Sequence, residues 1–185
     1  MKQLFKDKKE IQDLIFRASD NQKTKNLIFE FSKLKNDRKE FYLQLTELEK
    51  ILEWKLIGQY YRLKVIREIN NTNENVIAIT KAAFSITHVD KDIETKIRLK
   101  LLTVLSGVEI AVASAILTIC FPEKYAVIDF RNWRQMYKAQ EKKTNHSPND
   151  YLIYLSEIKI MAENYGFSTQ EIDIAIWQKD IEEFG

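Results

Sequence analysis

The part of the sequence that most restricts the fold is residues 101–137, LLTVLSGVEIAVASAILTICFPEKYAVIDFRNWRQMY. Gly107 ends one apolar helical run and precedes another, and glycine tolerates the positive φ that so short a connection requires. The second run, from about Glu109 to Cys120, is apolar on nearly every face, which is typical of a helix inside a core. The segment therefore predicts two helices joined by a tight hairpin, with the second helix buried.

Asp129 follows the second of these helices at the end of a short extended stretch. Phe121 and Pro122 end the helix, and residues 125–128 are an apolar run that is too short for another helix. A new helical pattern begins directly after Asp129, so this residue is a candidate N-cap. A carboxylate at the end of a buried segment is also a candidate functional acid.

The composition favours an all-α protein. The 185 residues include only four glycines and two prolines, and no long stretch alternates between polar and apolar residues. The length is sufficient for a single compact domain with two helical lobes and a cleft between them. We expect one lobe to contain residues 1–70 together with 130–185, and the other to contain residues 71–129 with the hairpin.

Apolar residues at helical spacing predict the remaining helices. We expect a surface helix over residues 1–17, a long helix from Lys39 to Ile69 with a break near Gly58, and a helix from Asp129 to about Lys142. Two shorter helices before the hairpin have candidate caps at Thr72 or Asn73 and at Asp90, and Gly166 is a candidate C-cap between the last two helices.

Several classes of protein are disfavoured by the charge and cysteine content. The net charge of +2 does not single out a nucleic-acid partner, although the first third is rich in lysine and arginine and the segment after Asn149 is mostly acidic. Cys120 is the only cysteine, which argues against a disulfide or a structural zinc site. No apolar run approaches the roughly 18 residues of a membrane span. We expect a cytoplasmic protein without a membrane partner.

The segment 101–137 resembles the helix-hairpin-helix DNA glycosylases, in particular a compact bacterial branch of that superfamily. Leu105, Gly107 and Val108 match the hairpin, residues 113–117 match the small-residue helix, and residues 127–129 match the Val-Asp ending that opens the next helix. The spacing from the hairpin to the aspartate also agrees. The resemblance implies an all-α, two-lobed fold and DNA as the partner.

The resemblance also implies a chemistry. Asp129 would be the catalytic acid that stabilises the positive charge on the sugar as the base leaves. The lysine of the strand-cleaving members corresponds to Ala111 here, which implies a monofunctional enzyme unless Lys55 has taken that role. No cofactor would be required, and a single cysteine leaves out the iron–sulfur cluster of some members.

In the family the hairpin holds DNA. Backbone N–H groups at Gly107 and Val108 would bind a phosphate, and the carbonyls of Thr103, Leu105 and Val108 would bind a monovalent cation. Glu109 replaces the second glycine of the family pattern, which places a negative charge beside the expected phosphate.

Other candidate residues have both a functional and a structural interpretation. Residues 51–55 are similar to the family helix that enters DNA, so Lys55 would face DNA, and Trp54, Tyr60 and Tyr61 would line the base pocket. The alternative is a solvated lysine and a core tryptophan. Arg131 or Arg134 could contact a phosphate or hold Asp129 in place, and Arg131 could equally form an internal salt bridge. We expect Trp133 and Trp177 to lie in the core. No catalytic role is assigned to His88 or His146.

Three functions therefore stay open at this stage. The first is a monofunctional glycosylase that hydrolyses the bond to a flipped damaged or modified base, in DNA repair or in defence against modified phage DNA. The second is a non-catalytic DNA-binding or protein-interaction module, and the third is a structural helical protein. The sequence does not decide which base is recognised, whether the nucleic acid is DNA or RNA, or what the oligomeric state is.

Overall fold

The computed structural model describes residues 4–18, 21–138 and 143–185, and this part of the chain is helical and contains no strand. The α-helices are α1 Lys8–Arg17, α2 Asn21–Asp37, α3 Leu45–Leu56, α4 Lys64–Asn70, α5 Asn73–Ser85, α6 Lys91–Leu102, α7 Ile110–Cys120, α8 Phe130–Tyr137, α9 Pro148–Tyr165 and α10 Thr169–Phe184, and a 3-10 helix over Ile57–Leu63 joins α3 to α4.

Side-chain caps determine where most of these helices begin. Thr72 and Asp90 accept backbone N–H groups at the starts of α5 and α6, as the sequence predicts. Ser147 and Ser168 form reciprocal capping boxes at the starts of α9 and α10. Gly166 ends α9 in the left-handed conformation, which confirms the predicted C-cap.

Three predicted helix boundaries were wrong. The first helix begins at Lys8, because Asp7 caps it, and residues 1–3 lie outside the described chain. The long helix predicted from Lys39 begins only at Leu45, because a capping box at Gln44 opens it, although the break near Gly58 is confirmed. The helix after Asp129 ends at Tyr137, and its predicted extension to Lys142 reaches residues 139–142, which lie outside the described chain.

Helix α7 lies at the centre of the fold. Every residue from Val112 to Cys120 is buried, and α7 packs against α2, α3, α6 and α9. Its small residues, among them Ala113, Ser114 and Ala115, allow these close contacts. A second set of contacts joins α10 to α1, α8 and α9. The division into two lobes stays a prediction.

The hairpin between α6 and α7 requires glycine for two reasons. Gly107 has φ +77°, as the sequence predicts, and a Cβ there would lie 2.6 Å from Cδ of Arg67. Arg67 is fully buried, and its Nη2 donates to the carbonyl of Tyr60 at 2.8 Å. Asn71 holds the turn from the other side through two hydrogen bonds to the backbone of Ser106, at 2.9 and 3.0 Å. The residues before α5 therefore support the hairpin.

Among the described helices, none combines the length and the apolar character needed to cross a bilayer.

Candidate functional site

Two cavities open beside the C-terminal end of α3. The smaller one, the inner pocket, has a volume of about 100 Å³, and α2, α3, α7, α8 and α10 contribute to its wall. Its polar lining consists of Asn21, Thr24, Lys55, Thr118, Asp129, Asn132, Gln170 and Asp173, and its largest apolar side chains are Trp54 and Trp177. The larger one, the outer groove, has a volume of about 670 Å³ and is lined by Lys23, Leu27, Lys50, Glu53, Trp54, Ile57, Gly58, Tyr60 and Tyr61.

Asp129 uses its two carboxylate oxygens differently. Oδ1 accepts the backbone N–H groups of Arg131 and Asn132, both at 2.9 Å, so the predicted N-cap is confirmed. Oδ2 lies 3.4 Å from Nζ of Lys55, 74 positions earlier in the chain. The carboxylate is thus fixed at the start of α8 with one oxygen facing the inner pocket.

Lys55 is not a solvated lysine. Its side chain is only 11% exposed, and the side chain of Asp129 is 20% exposed. The solvated-lysine alternative is wrong, because the last turn of α3 carries Lys55 into the inner pocket towards α8, and the prediction that Lys55 faces DNA stays a prediction. An amine and a carboxylate therefore meet in a small, largely apolar space, where their interaction is stronger than in water.

The extended segment before Asp129 is held in place by buried side chains. Ser114 on α7 accepts the N–H of Ile128 at 3.1 Å, and Tyr151 on α9 donates to the carbonyl of Ala126 at 3.0 Å. Asp173 on α10 accepts the N–H of Val127 at 3.0 Å. Because three helices supply these bonds, the position of the carboxylate depends on the whole fold.

Asp173 is a second carboxyl group in the inner pocket. Burial raises the pKa of Asp173 to about 7, although hydrogen bonds from Tyr154 and the N–H of Val127 act in the opposite direction. Nδ2 of Asn132 donates to Asp173 at 2.5 Å and to the Tyr154 hydroxyl at 2.8 Å. A protonated Asp173 can donate to Tyr154, whose own hydrogen then bonds the Val127 carbonyl, 3.1 Å away. The two aspartates of the pocket are therefore in different environments, because Asp129 faces Lys55 whereas Asp173 is buried.

Three amide side chains in the pocket wall have unused hydrogen-bonding atoms. Oδ1 of Asn21, Oδ1 of Asn132 and Nε2 of Gln170 are buried and have no partner among the described residues. Buried polar groups are normally satisfied, so these atoms point to a ligand that supplies the missing donors and acceptors. A planar heterocycle with both kinds of group on its edge would do so.

Two tryptophans give the inner pocket its aromatic surface. Trp54, predicted for the base pocket, is half-buried, lines the cavity, and donates from Nε1 to Thr24 at 3.2 Å. Trp177 was predicted as a core residue, but it is half-buried and lines the same cavity. Helical spacing places it beside apolar neighbours of α10, which is why the sequence pattern alone assigned it to the core.

Tyr60 and Tyr61 line the outer groove and not the inner pocket, and their predicted role in a base pocket stays a prediction. The 3-10 helix after α3 turns them into the outer groove, where their rings meet edge to face with centroids 5.0 Å apart. The Tyr60 hydroxyl binds Glu49, and burial, followed by that contact, raises the pKa of Tyr60 to about 12. Tyr61 is 71% exposed.

The two arginines of α8 both contact a buried carboxylate of α10. Arg134 forms a two-point contact with the buried carboxylate of Asp180, at 2.8 and 2.6 Å, and Arg131 lies 3.3 Å from the same group. The internal salt bridge of Arg131 is thus confirmed, and the DNA contacts of Arg131 and Arg134 stay predictions. The guanidinium groups compensate a carboxylate that is fully removed from solvent.

The hairpin does not contribute to the wall of either cavity. The side chain of Val108 is buried, and the carbonyl of Leu105 accepts the N–H of Val108 at 3.1 Å. Glu109 is exposed at the start of α7 and makes no side-chain cap. Phosphate binding at Gly107 and Val108 and the cation at the carbonyls of Thr103, Leu105 and Val108 stay predictions.

The two histidines occupy different settings. His88 accepts the N–H of Asp90 at 2.9 Å, beside the cap of α6. His146 is buried against Trp133, with ring centroids 5.3 Å apart, and burial lowers its pKa. Neither histidine lines the inner pocket or the outer groove, and within the described chain no group of three potential metal-ligating side chains occurs.

Comparisons of the chain with protein-family models, with curated proteins and with solved structures give no match. The interpretation of the site therefore depends on its own geometry.

Proposed function

We propose that the chain is a DNA glycosylase that receives an extruded damaged or modified base in the inner pocket and cleaves its bond to the sugar. The observation that carries the proposal is the contact between Lys55 and Asp129 in a pocket with two tryptophans and unpaired amide atoms. The resemblance of residues 101–129 to the helix-hairpin-helix glycosylases supports the same function from the sequence.

Asp129 is the group that stabilises the reacting sugar. When the base leaves with the electrons of the glycosidic bond, positive charge develops on the sugar ring. A carboxylate beside that charge lowers the barrier most when it is already oriented and shielded from water. Oδ1 is fixed by two backbone N–H groups, and Oδ2 is free to face the sugar once Lys55 moves aside.

Two nucleophiles are compatible with this site. In the monofunctional reaction a water molecule attacks C1′ of the sugar and gives its proton to Asp129, and Lys55 contacts Asp129 until the nucleotide enters. In the second reaction Lys55 gives its proton to Asp129, and the free amine bonds to C1′ as the bond to the base breaks, with the departing base taking the bonding electron pair and a proton from the amine. Asp129 then gives its proton to the ring oxygen as the C1′–O4′ bond breaks, which leaves a Schiff base between Lys55 and C1′. The distance of 3.4 Å between Nζ and Oδ2 favours keeping this second candidate.

The walls of the pocket suit a nucleobase. Trp54 and Trp177 offer flat apolar faces for stacking, which contributes about 1–3 kcal/mol per base in nucleic-acid complexes. Asn21 and Gln170 offer an acceptor and a donor for the edge of the base. Neither feature is required by a protein whose function is purely structural.

The test is a base-release assay by mass spectrometry on DNA that carries alkylated, oxidised, deaminated or phage-type modified bases. Asp129→Asn should abolish release, whereas Asp90→Asn should not, because Asp90 caps α6 in the same way but lies outside the pocket. Lys55→Gln is paired with Lys81→Gln, a half-exposed lysine of α5 that lines neither cavity.

Borohydride reduction separates the two nucleophiles. A covalent adduct between wild type and DNA that is lost in Lys55→Gln identifies the amine, and base release without an adduct identifies water. If wild type binds DNA but releases no base from the panel, the protein is a non-catalytic DNA-binding module. If it does not bind DNA even at low salt, where phosphate contacts are strongest, neither DNA function holds.

A further inference from the structure

Asp173 is a second acid in the wall of the inner pocket. It lies on α10, lines the pocket together with Asp129, and is only 6% exposed. Oδ1 of Asp173 accepts from Nδ2 of Asn132 and from the Tyr154 hydroxyl, whereas Oδ2 accepts one bond, from the N–H of Val127 at 3.0 Å. A carboxyl oxygen can take part in two hydrogen bonds, so Oδ2 keeps a position at which a proton can be held.

The surroundings of Asp173 accommodate both of its charge states. When Asp173 is a carboxylate, it accepts from three donors, which are the Asn132 amide, the Tyr154 hydroxyl and the N–H of Val127. When Asp173 is protonated, the hydrogen of the Tyr154 hydroxyl can bond the carbonyl of Val127 instead, 3.1 Å away. The hydroxyl therefore has an acceptor in either state, and Asp173 can lose and regain a proton without leaving this buried donor unpaired.

The titratable groups that face Asp173 belong to three other helices. They are Lys55 on α3, Asp129 at the start of α8 and Tyr154 on α9. Burial raises the pKa of Asp173 to about 7, and the charge of Asp129 acts in the same direction, whereas the bonds from Tyr154 and Val127 and the charge of Lys55 lower it. A general acid is most efficient when its pKa lies near the pH at which it works, so Asp173 is suited to proton transfer at neutral pH.

The reaction with water needs a source for one proton. When the bond between C1′ and the base breaks, the base takes the bonding electron pair, and a neutral base leaves as an anion unless it is protonated. The attacking water gives its proton to Asp129, and Lys55 supplies a proton to the base only when its amine is the nucleophile. Among the described residues that line the inner pocket, Asp173 is the remaining carboxylic acid.

We propose that Asp173 is the general acid that protonates the departing base when water is the nucleophile. This inference rests on the proposed function, and it gives the two aspartates opposite tasks, because Asp129 receives a proton and Asp173 gives one. The O–H bond of Asp173 breaks, its electron pair stays on the carboxylate, and the proton bonds to a nitrogen or oxygen of the base. The Tyr154 hydroxyl then donates to Oδ1 of Asp173. Loss of a proton from Asp129 to solvent water and gain of one by Asp173 restore the site.

The first test compares neutral with cationic leaving bases. The probes are DNA duplexes that carry hypoxanthine, uracil or 8-oxoguanine, which are neutral, and a duplex that carries 7-methylguanine, which is positively charged and leaves without needing a proton. In Asp173→Asn the ratio of the neutral to the cationic release rate should fall about 100-fold, since general acids typically contribute 10²–10⁴-fold. Asp90→Asn, at the cap of α6 outside the pocket, should keep the wild-type ratio.

The second test is the pH dependence of the rate, which needs no cationic base. Wild-type release of a neutral base should fall about tenfold for each pH unit above the pKa of the acid, and Asp173→Asn should lack this fall. Tyr154→Phe removes a hydrogen bond that lowers the pKa of Asp173. The fall should therefore move to higher pH in Tyr154→Phe, a shift that a purely structural role of Asp173 does not produce.

The outcomes distinguish this inference from the proposed function. If Asp173→Asn keeps the wild-type ratio, or if the wild-type rate does not fall at high pH, the acid role is refuted and the glycosylase stands. The same holds if borohydride traps an adduct through Lys55, because the base then receives the proton of the amine, or if wild type releases 7-methylguanine alone. If wild type releases no base, the proposed function fails and this inference fails with it.

Discussion

Replacement of Ser114 by alanine tests how the fold positions Asp129. Ser114 is fully buried in the middle of α7, where its hydroxyl donates to the carbonyl of Ala111 at 2.8 Å and accepts the N–H of Ile128 at 3.1 Å. In Ser114→Ala the Ala111 carbonyl keeps its place in the helix, but the N–H of Ile128 loses its acceptor inside the core.

The expected cost follows from that unpaired donor. An unsatisfied buried polar group destabilises a fold by about 1–3 kcal/mol. A loss of about 2 kcal/mol lowers the Tm of a chain of this length by roughly 4–8 °C. With a urea m-value of about 2 kcal/mol per molar, the midpoint falls by about 1 M. Because Ile128 directly precedes Asp129, base release should also fall at temperatures where the variant is folded.

The control is Ser156→Ala on α9. Ser156 makes the same kind of bond to a carbonyl three residues earlier, at 2.8 Å, but it is exposed to solvent. We expect its stability to change by no more than about 0.5 kcal/mol. Equal urea midpoints for the two variants would show that Ser114 does not anchor the segment before Asp129, and the argument would be wrong.

Three further predictions concern the surroundings of the site. Gly107→Ala should cost about 1–3 kcal/mol in urea unfolding from its positive φ alone, and more from the contact with Arg67, whereas Gly58→Ala should not destabilise. Asp180→Asn should lower the free energy of unfolding by about 2–4 kcal/mol, because Arg131 and Arg134 lose their buried carboxylate partner. This decrease in stability should become only slightly smaller in high salt, since the carboxylate is buried. The raised pKa of Asp173 means that its proton stabilises the fold fully below about pH 4, and this stabilisation is lost as the pH rises towards 7. Over that range the free energy of unfolding of wild type should therefore fall relative to that of Asp173→Asn. Parallel curves of unfolding free energy against pH for the two proteins would contradict the raised pKa of Asp173.

The sequence predicted those features that depend on neighbouring residues. The positive φ of Gly107, the burial of α7 and the N-cap role of Asp129 follow from local conformational preference and from helical spacing. The same local logic placed the break near Gly58. It did not predict the positive φ of Ile57, because nothing in the order Ile57-Gly58 shows which of the two residues takes that conformation.

The contacts that make the site join residues far apart in the chain, and a sequence pattern does not contain them. Lys55 and Asp129 are 74 positions apart, and the partner of Arg134 is Asp180, on the last helix. Trp177 shows why such misses occur. A tryptophan at helical spacing has the same pattern whether its face packs in a core or lines a cavity, and only the packing of α10 beside the pocket decides.

The contact between Gly107 and Arg67 also sets a rule for how this fold can vary. The space that a side chain at position 107 would occupy is filled by methylene groups of Arg67. The two positions therefore share one volume, and their substitutions should not be additive. Sequences of this fold that keep glycine in the hairpin should keep a long side chain at position 67. Where a short residue stands at 67, the hairpin is free to carry alanine at 107 with only the cost of its φ.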